Sequence, residues 1–123
     1  MTNAYYDHEP SVFEAVGNGN YLYRWDIQEE TVEREEGVEP TVQWSCKETT
    51  VKGEPGYGKC VEAVIRETYT VDEEFAMINK YNAYKAGIIT DESIVEEYEG
   101  YLREVVSIKE RVKRDLASYV NNF

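Results

Sequence analysis

The apolar residues of this chain change their spacing once, and that change limits what it can fold into. Within Tyr21–Ile27 and again within Thr41–Val51 they alternate with a period of two; from about Lys59 onward they recur at every third or fourth position. A period of two belongs to a strand with one buried face, and a period near 3.6 belongs to an amphipathic helix. Strands followed by helices give an α+β fold. The expected architecture is an antiparallel β-hairpin or small sheet over residues 11–52, packed on a helical part over 58–121. The last helix is long, at about 92–120. Residues 1–10, "MTNAYYDHEP", have no period and read as a flexible arm ahead of a single domain, 11–123.

"GNGN", Gly17–Asn20, is turn chemistry, because Gly and Asn tolerate positive φ. "YLYRWDI" follows as a strand, with Tyr21, Tyr23, Trp25 and Ile27 on one face and Leu22, Arg24 and Asp26 on a more polar outer face. "QEETVEREEGVEP" holds six glutamates and one arginine, and Gly37 and Pro40 make it a wide solvated turn. "TVQWSCKETTV" alternates again, with Val42, Trp44 and Cys46 together. The pairing expected is Tyr21–Val32 against Thr41–Val51, with Trp25 and Trp44 on one buried side.

"KGEPGYG" is a Gly- and Pro-rich loop, and Val61, Val64 and Ile65 then form a short helical stripe. "YTVDEEFAMINKYNAYKAG" carries both ends of a helix over Val71–Ala86. Thr70 is the N-cap with Glu73 three residues on, Asp72, Glu73 and Glu74 sit where the helix dipole favours negative charge, and Gly87 fits the left-handed residue after the last turn. Its broken apolar face reads as Phe75, Ile78, Tyr81 or Asn82, and Tyr84 or Lys85. The long helix starts at Thr90 or Asp91. Ile94, Tyr98, Tyr101, Val105, Ile108 and Val112 are spaced 4, 3, 4, 3, 4, a seam of nearly three heptads. The seam predicts antiparallel packing on the shorter helix or association with another copy.

Thirteen Lys and Arg against 25 Asp and Glu give a net charge of −12. Such a surface is expected neither to bind nucleic acid through its phosphates nor to adhere to anionic membranes. It suits solubility, or imitation of nucleic acid by carboxylates. Glu29, Glu30, Glu33, Glu35, Glu36 and Glu39 are the candidate acidic surface. Cys46 and Cys60 lack metal-site spacing, and with His8 they fall short of a zinc ligand set, so free thiols and no metal or cofactor are expected. No stretch reads as a membrane span or signal peptide, so synthesis inside a cell without membrane insertion is expected. "GEPGYGK" lacks the spacing of a phosphate loop, and no nucleophile has a base beside it in sequence. No catalytic residues are assigned.

Eleven tyrosines supply large contact area with a polar end. Tyr5, Tyr6, Tyr21, Tyr23, Tyr98 and Tyr101 are the candidate protein-contact residues. The run "GEPGYGKCVEAVIRETYTVDEEFAMINKYNAY", together with "VQWSCKETTV" upstream and a long charged helix after it, resembles small proteins from the structural, tail and attachment modules of tailed phages and prophages of gut bacteria. That resemblance covers about residues 53–85 and implies a non-enzymatic virion or virion-assembly protein, made in the host cytoplasm and located in the virion. Its implied partners are other virion proteins, met in many copies on a symmetric particle. An acidic nucleic-acid mimic that inhibits a host defence protein is the alternative.

Overall fold

The structure, a computed structural model, describes residues 3–121 and is an α+β fold: a four-stranded antiparallel sheet followed by three helices. The chain divides into two compact units, residues 1–60 and 61–123. The β part 11–52 lies wholly in the first, while the helical part 58–121 straddles the division.

In the first unit, strands β1 (Ala4–Tyr6), β2 (Phe13–Gly17), β3 (Asn20–Val32) and β4 (Thr41–Lys52) lie in the order β1-β4-β3-β2. Asn18 and Gly19 turn β2 into β3 with φ of 55° and 76°. Positive φ at both central residues is the turn whose twist matches that of paired strands. β3 and β4 pair from Tyr21↔Val51 to Val32↔Thr41, as the alternation predicts. Ala4–Tyr6 of the expected arm instead forms an edge strand, with Tyr6 opposite Trp44; Met1 and Thr2 lie outside the described residues.

The two tryptophans do not share a face. Trp25 pairs with Lys47 and Trp44 with Glu29. Lys47 and Trp44 are an odd number of residues apart, so their side chains leave opposite sides of the sheet. This register aligns Tyr23 and Trp25 with Thr49 and Val51, all buried. The rings of Phe13, Tyr23 and Trp25 run along that face, 4.9 and 5.4 Å apart in sequence. Trp44 is left on the other face, half-buried. A one-residue slip would exchange the faces of a whole strand, and periodicity alone does not fix that phase. Between Trp25 and Gln28, β3 also carries a bulge, with Asp26 in the left-handed region at φ 52°. Ile27 therefore does not continue the Tyr21–Trp25 face.

In the second unit, α1 (Tyr57–Thr68, whose first turn belongs to the first unit) buries Val61, Val64 and Ile65. In α2 (Val71–Lys85) the Thr70 side chain accepts a hydrogen bond from the Glu73 N–H. Ile88 N–H bonds Ala83 C=O and Gly87 N–H bonds Tyr84 C=O, with Gly87 at φ 77°. That pair of bonds is the glycine-terminated helix stop read from the sequence. α3 (Ser93–Asn121) starts behind Asp91, whose Oδ1 accepts from Ser93 N–H at 3.0 Å. Its seam is buried at Ile94, Tyr101, Ile108 and Val112 and half-buried at Tyr98 and Val105. α2 and α3 run antiparallel: Tyr81 stacks on Tyr98 at 4.1 Å, and further along α3 the Tyr101 hydroxyl reaches back to Glu74.

The inward face of α2 keeps Ile78, Tyr81 and Tyr84 of the expected set but replaces Phe75 with Glu74 and Met77. Phe75 is 60% exposed, whereas Glu74, Met77, Ile78, Tyr81 and Tyr84 are buried or half-buried. Glu74 turns inward because Arg66 and the Tyr101 hydroxyl both bond it, and its neighbour one residue on, about 100° around the helix, is carried outward.

Candidate functional site

The first unit carries two polar constructions, one at the near end of the β3–β4 hairpin and one at its far end. The near one is built on Arg24. Its residue is 2% exposed, although an arginine amid alternating aromatics reads as an outer-face residue. Its Nε donates to Glu48 at 2.9 Å, Nη2 to Glu14 at 2.6 Å and to the Tyr6 hydroxyl at 3.0 Å, and Nη1 to the Ser11 carbonyl at 3.1 Å. The guanidinium carbon lies 4.7 Å from the Tyr6 ring centroid, and the Tyr6 hydroxyl donates to Glu48 at 2.6 Å. Burial works against the arginine's charge, but the bonds to Glu14, Tyr6 and Glu48 outweigh it and hold the guanidinium above its ordinary range. Burial, then the bond to Glu48, pushes the Tyr6 phenol up. These four bonds take up four of the five guanidinium donors, and the socket fastens β1, β2, β3 and β4 together.

The far construction is the distal half of the hairpin. β2 pairs with β3 only along Asn20–Tyr23, and β1 pairs with β4 only along Trp44–Cys46. Among the described residues, Glu29–Val32 and Thr41–Gln43 therefore form a two-stranded ribbon with no strand on either flank. Arg34 clasps the ribbon's end, its Nε and Nη2 donating to Thr41 Oγ1 at 3.2 and 3.0 Å. Gly37, at φ 88°, and a bond from Val38 N–H to Glu35 C=O shape the turn. The structure brings all six predicted glutamates to this ribbon and turn. Glu29, Glu33, Glu35, Glu36 and Glu39 are exposed; Glu30 is half-buried and accepts from Ser45 Oγ at 2.9 Å and Gln43 Nε2 at 3.4 Å. None of the six forms an ion pair among the described residues. Arg34 is the only cation between Asp26 and Cys46.

Of the six candidate tyrosines, Tyr5, Tyr6, Tyr21 and Tyr23 lie in the first unit and Tyr98 and Tyr101 in the second. Tyr5 alone is open, at 58%. Tyr6 belongs to the Arg24 socket, and Tyr21 is half-buried with its hydroxyl donating to Glu54 at 3.1 Å. Tyr23 is fully buried and Tyr101 buried, which corrects their reading as contact residues: their rings are core, set against Phe13 and Trp25 and against Tyr69 respectively. Tyr98 is half-buried against Tyr81.

Cys46 and Cys60 are both free and buried. Burial pushes the Cys46 thiol up and the Cys60 thiol up to about 11, so neither is a ready nucleophile near neutral pH. Among the described residues no three His, Cys, Asp or Glu side chains gather to hold a metal, and no helix is long and apolar enough to cross a membrane.

Comparisons with protein-family models, with curated proteins and with solved structures find no match to this chain.

Proposed function

We propose that the chain is a non-enzymatic binding protein, a phage virion or virion-assembly component, that works by protein–protein contact through the distal β3–β4 ribbon. The observation that supports a contact role there is the coincidence of two features: strand edges without neighbours, and five exposed glutamates without ion-pair partners among the described residues. The phage setting rests on the sequence resemblance over residues 53–85. In that setting the partners are other virion proteins, and many copies on a symmetric particle make weak single contacts effective through avidity. With a net charge of −12 the chain meets those proteins rather than nucleic acid or membrane. Mass spectrometry of purified particles should detect the protein. A triple variant, Glu29→Gln, Glu33→Gln and Glu36→Gln, should fold normally yet fail to be incorporated. Particles that lack the wild-type protein, or take up the variant equally well, would end this reading.

The clustering of carboxylates around a single cation also favours a second reading, an acidic mimic of nucleic acid that blocks a host defence protein. Competition separates the two: a mimic is displaced from its target by duplex DNA, and a virion contact is not.

A further inference from the structure

We infer that the outer edge of β3 at Gln28–Val32 receives a basic, extended segment of a partner protein as an added strand. This rests on the reading of the distal ribbon as the contact surface and names the partner's chemistry. β2 leaves this edge uncovered because the chain ahead of it departs. Arg24 N–H still bonds Val12 C=O at 2.7 Å, but Ser11 Oγ folds onto Phe13 C=O and Pro10 is buried, and among the described residues no strand pairs with this edge past Trp25. In an antiparallel ladder alternate residues turn their N–H and C=O outward, and an uncovered edge is a template for another strand.

The side chains decide which strand. A second copy pairing edge to edge would set Glu29 and Glu30 against the same glutamates, and like charges directly opposite are destabilising. The edge is thereby closed to self-association. The same charges favour lysine or arginine opposite Glu29, and Glu33, exposed four residues on, extends the match; Asp26 is already paired with Lys47 at 3.5 Å. Glu30 is tied to Ser45 and Gln43 and helps to stiffen the ribbon rather than meet the partner.

The test uses the full chain and a seven-residue peptide alternating lysine with valine or threonine. Companion peptides carry N-methyl groups at every second residue, in either phase, which keep the charge and block strand addition. Titration followed by amide NMR should place the shifts at Gln28–Val32. Binding should weaken by about tenfold or more for the methylated peptides and for the double variant Glu29→Lys, Glu33→Lys, the change expected when backbone bonds or opposite charges are lost. Equal binding of the methylated peptides would overturn the added strand while leaving a charge-driven contact in place. Shifts confined to β4, or no binding of the unmodified peptide, would also overturn the inference. The incorporation experiment above tests the contact reading itself, independently of any peptide.

Discussion

Arg24 is the residue on which most of the first unit converges, since it touches side chains or backbone from β1, β2, β4 and the segment between β1 and β2. Replacing it by alanine removes a buried cation and strands Glu48 and the Tyr6 hydroxyl. We expect Arg24→Ala to cost about 2–4 kcal/mol in chemical denaturation, and Arg24→Lys to recover little of it, because an ammonium cannot span partners set around a planar fork. The phenols of the second unit give a pH signature. Tyr101 is pushed up to about 12 by burial and then by its bond to Glu74, and Tyr69 to about 12 by its 2.6 Å bond to Glu104 and then by burial, both from 10.0. A phenol with a raised folded-state value stabilises fully below its unfolded value and loses that contribution as pH climbs through the folded one. The melting temperature should therefore fall between pH 10 and pH 12, and the double variant Tyr69→Phe, Tyr101→Phe should flatten that fall.

At the scale of elements, α2 offers the sharpest contrast. Met77→Ala should cost roughly 2–3 kcal/mol and Phe75→Ala within about 0.5 kcal/mol, although phenylalanine is the larger side chain, because only Met77 is buried. Thermal denaturation of the two variants checks this. The ends of α2 and the Asn18–Gly19 turn were legible in sequence because each is decided by residues within a few positions of one another, and the β3–β4 pairing because two alternating runs are joined by one Gly- and Pro-marked turn. The six glutamates were legible as a group because they are contiguous. The exchange of Phe75 for Glu74 on the inward face of α2 was not, since Glu74 turns in only through Arg66 on α1 and Tyr101 on α3. Arg24 was hidden for the same reason: its partners lie at Tyr6, Glu14 and Glu48, and a lone arginine in a strand ordinarily points to water. The phase of Trp44 depends on register, and three residues without a period cannot announce β1.

For the molecule as a whole, the α3 seam is the main apolar investment of the second unit, with Ile108 and Val112 nearly or fully inaccessible. Ile108→Asp places an unpaired carboxylate there and should destabilise that unit by more than about 3 kcal/mol. Where that unit unfolds, most of the helical signal at 222 nm should be lost, because α2, α3 and most of α1 lie in it; an unchanged spectrum and an unchanged denaturation midpoint would mean that the seam is not core. The long reach of β1 has a consequence in time. β2 meets β3 across two residues and β3 meets β4 across one loop, so both hairpins close early in refolding, while Tyr6 must find Glu48 from 42 residues away. On that ordering we expect Arg24 to gain its carboxylates before its aromatic cover, so that the drying of one cation comes late in the folding of the first unit.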